Sequence, residues 1–275
     1  GNTPATATIG WVEEGATSYA WQHPTGQFTT FLSVSGFDAF NAPPLTLAGC
    51  TQTRVHLGRL IVGGPGLDGL QQTLARRAGT RLREIRGTVS DAMSVGAMGV
   101  NIHATSPDRM AYYSRTTTDS MGGFTLHVPE GQMVQLTASR QGDAMAAPVT
   151  VGPNETTATV RLMPTGTVRV LATENPSSQP LPVRVQLIPT GTTTLPTLPP
   201  NFGEPSLHDG RLYEEFPTGG VAVMRAPPGQ YRLVVSRGFE YELYDQPVNA
   251  TADMPVNAAV ALRRLVEKKK KKGGR

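Results

Sequence analysis

Apolar and polar residues alternate with a period of two along most of this chain, the pattern of strands with one buried and one exposed face. Near the N-terminus, Thr6 to Glu13, Thr17 to His23 and Gln27 to Ser35 read as three strands divided by Glu-Gly and Pro-Thr-Gly turns, and Arg54 to Val62 reads as a fourth. The period changes once. Over Asp68 to Ala78, Leu70 and Leu74 fall one helical turn apart and Gly79 follows as a C-cap candidate, so one short helix is predicted there.

From Leu82 the alternation becomes regular. Ile85 to Ser90, Gly99 to Thr105, Ala111 to Thr117, Gly123 to Pro129, Met133 to Ser139, Ala147 to Val151 and Thr157 to Leu162 form a series of short strands, with turn signals at sandwich-like intervals. Val100, Ile102 and Ala104, then Phe124, Leu126 and Val128, then Val134, Leu136 and Ala138 are the expected inward positions. A second series comprises Gly166 to Ala172, Val183 to Pro189, Gly219 to Arg225, Gln230 to Ser236, Phe239 to Leu243, and Val256 to Leu265. Within it lies Thr190 to Pro217, a Pro/Thr/Gly-rich loop long enough to suggest function or disorder.

Both series place a Pro-x-Gly-Gln turn before an alternating strand, in VPEGQMVQLTAS (Val128 to Ser139) and APPGQYRLVVS (Ala226 to Ser236). One small sandwich, duplicated and diverged, gives that pattern. The predicted fold is all-β: tandem small Greek-key β-sandwiches with one short helix. The expected division is an N-terminal β-rich region over 1–81 with its helix near 68–78, sandwiches over 82–163 and 164–267, and a basic disordered tail over 268–275.

Composition agrees with short strands and many turns, since 30 Gly and 23 Pro accompany only 6% aromatic residues. No window approaches 18 consecutive apolar residues, so no membrane span is expected. The net charge of +4 belongs to the tail. Setting the Lys268 to Lys272 run and Arg275 aside from the 25 cations leaves 19 arginines against 21 carboxylates, and no basic face for nucleic acid. One cysteine, Cys50, excludes an intramolecular disulfide. Leu47-Ala48-Gly49-Cys50 matches a lipoprotein cleavage pattern, but Phe37 to Leu45 carries Asp38, Asn41 and Pro43-Pro44 where an apolar core belongs. A small buried strand thiol is the expected reading.

Candidate chemistry is sparse. Gly64-Pro65-Gly66-Leu67-Asp68-Gly69 matches GxGxxG, but Pro65 removes an N–H and no parallel strand–helix pattern comes after it, so a glycine-rich connection to a surface helix is expected rather than a dinucleotide site. The histidines His23, His56, His103, His127 and His208 lack metal-ligand spacing, and His103 and His127 read as exposed strand residues. Asp119 before Gly122-Gly123 reads as a turn residue rather than a calcium ligand. No catalytic, metal-binding or cofactor-binding residue is assigned. Trp11, Trp21, Tyr112 and Tyr113 leave a weak carbohydrate-stacking alternative.

The densest polar stretch is APPGQYRLVVSRGFEYELYDQPV, from Ala226 to Val248. It reads as a hairpin with Gly238 at the corner and Pro247 ending the second strand; Tyr231, Leu233 and Val235 face the core. Arg237, Glu240, Tyr241 and Tyr244 are the candidate partner contacts.

Arg86-Gly87-Thr88-Val89-Ser90-Asp91, with Gly99 to Ile102, Thr118 to Leu126 and Val128 to Gly131, resembles the carboxypeptidase regulatory-like domain. Leu181 to Val185 and Ser236 to Tyr241 are similar to the segment before the catalytic domain of CehA/McbA-type metallohydrolases of the PHP superfamily. The resemblance spans roughly Arg83 to Val266. It implies a prealbumin-type sandwich of a secreted or surface protein. The metal centre it implies would open with His-x-His, which this chain lacks, so hydrolase activity carries over to no residue. The expectation is a non-catalytic extracellular, periplasmic or cell-surface scaffold that binds a partner domain or surface polymer. The alternative is a structural subunit of a filament, self-associating through strand edges.

Overall fold

The computed structural model describes residues 5–24, 26–32, 38–41, 46, 48–52, 54–194, 197–199, 202, 210–252 and 254–266. The Lys268 to Lys272 run, His208 and much of the Phe37 to Leu45 flank lie outside them. The N-terminal strands are β1 (Ala5–Ala7), β2 (Ile9–Glu14), β3 (Thr17–Gln22), β4 (Phe28–Leu32), β5 (Asp38–Asn41) and β6 (Arg59–Gly63), with helix α1 (Gly66–Ala78) after them. They form two sheets, ordered β1-β4-β5 and β2-β3-β6. The strand expected over Thr6 to Glu13 breaks at Thr8, and its halves enter different sheets; β5 was not anticipated. Cys50 is not buried in a strand. It sits exposed in a turn with φ 61°.

The first sandwich comprises β7 (Leu82–Ser90), β8 (Asn101–Thr105), β9 (Tyr112–Thr117), β10 (Gly123–Pro129), β11 (Val134–Ser139), β12 (Val149–Val151) and β13 (Thr157–Arg161). The second comprises β14 (Gly166–Asn175), β15 (Arg184–Pro189), β16 (Tyr213–Glu215), β17 (Val221–Ala226), β18 (Gly229–Ser236), β19 (Tyr244–Ala250) and β20 (Val256–Arg263). Sheet orders β10-β7-β13 and β12-β11-β8-β9 in the first correspond strand for strand to β17-β14-β20 and β19-β18-β15-β16 in the second. In both, the last strand pairs parallel with the first while the other pairings are antiparallel. The shared turn grammar therefore accompanies a shared topology. Every expected inward position of the first sandwich is buried, as are Tyr231, Leu233 and Val235 in the second.

Two segments of the second sandwich depart from expectation. Part of the Thr190 to Pro217 loop is strand β16, paired with β15. The last hairpin strand is β19, not Phe239 to Leu243, and Pro247 lies inside it, opposite Arg232. β19 is an edge strand, so the N–H that proline lacks would have faced away from the ladder.

Side chains lock the units together. Helix α1 packs Leu67 and Leu70 against Ala20 and Ile61 of the β2-β3-β6 sheet. The glycines of the GxGxxG match serve this approach: a Cβ on Gly69 would lie 2.4 Å from the Gly64 carbonyl carbon, and Gly66 adopts φ +62°. Asp68, in the first helical turn, then reaches the first sandwich. One carboxylate oxygen accepts from the Ser114 hydroxyl at 2.6 Å and the His127 backbone N–H at 2.7 Å. The other accepts from Gln72 at 2.9 Å and is 2.8 Å from His127 Nδ1. The helix start is thus occupied by the protein's own anion, a favourable place for one.

The sandwiches are joined by a second carboxylate. Asp143 is buried and sits 2.8 Å from both Arg140 Nε and Arg225 Nε. Beside it, the Tyr213 hydroxyl donates to the Gln141 carbonyl at 3.1 Å. Phe202, from the long loop, crosses to the first sandwich and stacks on His103 with ring centroids 4.1 Å apart. His103 is fully buried, 2.8 Å from the Tyr112 hydroxyl and 2.9 Å from the Ser139 hydroxyl. Neither strand histidine is fully exposed: His103 is buried and His127 is partly covered. Their outward faces are covered by other units, which alternation within a strand does not reveal.

Candidate partner interface

The sequence SRGFEYELY supplies an irregular corner between β18 and β19. Gly238 has φ +62°, a value that suits glycine and lets the chain reverse between Arg237 and Phe239. Backbone hydrogen bonds hold the far side of the corner to the end of β20: the Glu242 N–H donates to the Arg263 carbonyl at 3.0 Å and Leu265 N–H to the Glu240 carbonyl at 2.7 Å.

Tyr241 is the centre of the arrangement. The guanidinium carbons of Arg237 and Arg264 lie 5.6 and 5.7 Å from its ring centroid, within cation–π range. Its hydroxyl donates to Glu174 at 2.9 Å, and that hydrogen bond holds the phenol above its ordinary pKa. Arg237 also donates to the Pro182 carbonyl at 2.7 Å, and Arg264 pairs with Glu240. Three of the four expected contact residues, Arg237, Glu240 and Tyr241, thus converge, but their contacts are with this chain's own groups: Arg237 with Tyr241 and Pro182, Tyr241 with Glu174, and Glu240 with Arg264. Tyr244 does not join them; it opens β19 and packs against the core of the second sandwich.

The residue that the corner presents outward is Phe239, whose relative exposure is 102%. Leu243, Leu265 and Val266 are exposed on the same connected stretch. Strand alternation over Phe239 to Leu243 does not single Phe239 out. Its signal was position: an aromatic directly after a positive-φ glycine, where no strand alternation assigns it to a core.

Other expected chemistry resolves into structure. Asp119 accepts the N–H groups of Met121 and Gly123, each at 2.8 Å, which is the turn role. Among the described residues, no group of three His, Cys, Asp or Glu side chains is placed to hold a metal, and no helix is long and apolar enough to cross a membrane. Trp11 pairs across the sheet with Ala20, the neighbour of Trp21, so the tryptophans occupy opposite faces and cannot form one stacking platform. Trp11 lies under Arg115, with 5.3 Å to the ring centroid, and Trp21 meets Phe28 edge-on at 4.9 Å.

No protein-family model matches the chain, and no curated protein sequence matches it. Among solved structures, a streptococcal ancillary pilin is similar with a TM-score of 0.33 and 13% identity, over 90% of this chain and 80% of that one. The shaft pilin SpaA from Lactobacillus rhamnosus GG is similar with a TM-score of 0.37 and 10% identity, over 68% of this chain and 100% of its own. The minor pilin of Streptococcus agalactiae gives a TM-score of 0.31 and 14% identity, over 67% and 98% of the two chains.

Proposed function

We propose that this chain is a non-catalytic, extracytoplasmic scaffold that docks a protein partner through the corner between β18 and β19. The observation that carries the reading is Phe239, an aromatic ring wholly in solvent beside a corner where Arg237 and Arg264 contact the Tyr241 ring. Anchors of this kind lose little conformational entropy on binding, and aromatic and arginine side chains dominate interface energetics. Arg237, Glu240 and Tyr241 act as positioning residues, and Phe239 with Leu243 and Leu265 forms the contact. The locked units support the same reading, because a scaffold transmits position only if its parts do not move independently. The resemblance of Arg83 to Val266 to regulatory-like domains and to the region upstream of a metallohydrolase also favours an accessory role.

A second reading rests on a different surface. On the outer face of the β17-β14-β20 sheet, Leu171, Val221 and Val223 are exposed, and β17 is an edge strand. Leu171 lies directly opposite Val221, so the patch is contiguous. Such a face suits lateral association of copies into a surface assembly. Light scattering coupled to size exclusion, with electron microscopy of the same fractions, separates the two. A concentration-independent monomer supports docking through the corner. Polymers abolished by Val223→Lys but retained in Phe239→Ala would refute it in favour of the assembly.

A further inference from the structure

Methionine is ordinarily a core residue, and here the distribution is inverted. Of nine methionines, seven (Met93, Met98, Met110, Met121, Met133, Met163 and Met254) are exposed, while Met224 is fully buried. Exposure is greatest at Met93, Met110 and Met121, at 82%, 84% and 82%.

These three share one local structure. Each is the third residue of an Asp-x-Met turn in which the aspartate side chain accepts the methionine N–H: Asp91 to Met93 at 2.9 Å, Asp108 to Met110 at 3.0 Å and Asp119 to Met121 at 2.8 Å. The carboxylate holds each turn, so the thioether is not needed to hold the loop. Two of the turns meet at one end of the first sandwich, where a Cβ on Gly96 would lie 2.1 Å from the Met121 carbonyl oxygen. Packing accounts for none of the three side chains. What they share chemically is an accessible, oxidisable sulfur.

We propose that the exposed methionines form a sacrificial oxidation surface, led by Met93, Met110 and Met121, that consumes peroxide-class oxidants without loss of fold. The sulfur lone pair attacks one peroxide oxygen and the O–O bond breaks. That oxygen remains on sulfur as the sulfoxide, and the other leaves as water after taking up the protons. Sulfur is oxidised by two electrons and the peroxide is reduced by two. The new polar S=O stays in water, because these side chains were never in the core. Met224, on β17 with its side chain in the core of the second sandwich, is shielded. The inference does not depend on the docking reading.

The test is timed exposure of the full chain to hydrogen peroxide, with sulfoxide located by peptide mass spectrometry and the thermal midpoint followed in parallel. Met93, Met110 and Met121 are expected to react within about twofold of a free methionine amide, and Met224 at least about tenfold more slowly. The midpoint stays unchanged through the fast phase, and methionine sulfoxide reductase restores the original mass. A triple Met93→Leu, Met110→Leu, Met121→Leu variant keeps the midpoint and loses the fastest phase of peroxide consumption. A midpoint that falls as these sulfurs oxidise, or a triple variant that consumes peroxide as fast as the wild type, overturns the proposal.

Discussion

Replacing Asp68 with alanine tests whether one carboxylate joins the N-terminal unit to the first sandwich. Four donors converge on it, and they differ in how well each can replace it. Gln72 lies along the same helix and the His127 ring is partly exposed, so both can turn to water. The Ser114 hydroxyl is fully buried and the His127 backbone N–H lies beneath the helix, so neither finds a ready substitute. A buried donor left without its acceptor costs about 1 to 3 kcal/mol, and taking about 1.5 for each gives a loss of about 3 kcal/mol. The Asn variant keeps one accepting oxygen for those two donors but turns an N–H₂ toward the His127 ring and Gln72, so it should lose about half as much. Native-state hydrogen exchange of the α1 amides reads the local opening, and urea unfolding reads the global effect. Protection across Gly66–Ala78 falls first, while the second sandwich is unaffected. If Asp68→Ala changes helix protection by less than about 0.5 kcal/mol, or if Asn and Ala are equivalent, the clamp does not hold the units together.

At the junction of the sandwiches, Gly142→Ala places a methyl 2.2 Å from the Arg225 carbonyl oxygen and 2.3 Å from the Tyr213 hydroxyl at a φ of +81°, and is expected to destabilise by about 3 kcal/mol in urea titration. Phe202→Ala removes the ring stacked on His103, so limited proteolysis should cut within the long loop several-fold faster while the strands stay resistant. Phe239→Ala should leave the unfolding midpoint within error yet weaken partner capture by about 2 kcal/mol or more, whereas Tyr241→Ala should weaken both. Burial pushes Tyr213 and Tyr231 up to about 12, against about 10 in the unfolded chain. Between those values the unfolded state has released protons that the folded state retains. Stability is therefore intact below about pH 10 and falls as pH rises toward 12, by about 2 kcal/mol for Tyr213 and no more than that for Tyr231. Tyrosinate absorbance should show Tyr213 and Tyr231 titrating late, with Tyr241 also delayed by its bond to Glu174, and all three joining the others on unfolding; all seven rings titrating together in the native protein would refute this.

Much of the architecture was legible because strand alternation is a local property. Each sandwich strand buries every second residue against its own partner sheet, so Val100 to Ala104 and Phe124 to Val128 announced their inward faces without any knowledge of the fold. The repeated Pro-x-Gly-Gln turn likewise announced a duplication, which the matching strand orders display. Edge status is not local. Pro247 looked like a terminator because its missing N–H would break a central ladder, and only the sheet order shows that, among the described residues, no strand pairs with β19 on that side.

Contacts between units were the part that no pattern in the chain could supply. Asp68 and His127 stand 59 residues apart, and Arg225 and Asp143 stand 82 apart. Their pairing depends on how finished sandwiches and helix meet, and each is an ordinary polar residue in its own segment. The same holds for the corner after Ser236. Its composition marked it as a place of polar crowding, and Arg237, Glu240 and Tyr241 are indeed assembled there. Arg264, just after β20, and Glu174 of β14 engage Glu240 and Tyr241 within the chain and leave Phe239 outside. Sequence decided which residues are buried within each sheet, because burial there follows a two-residue period. Tertiary structure decided which polar groups are satisfied and which apolar ring remains for a partner, because both depend on chain segments far apart in sequence.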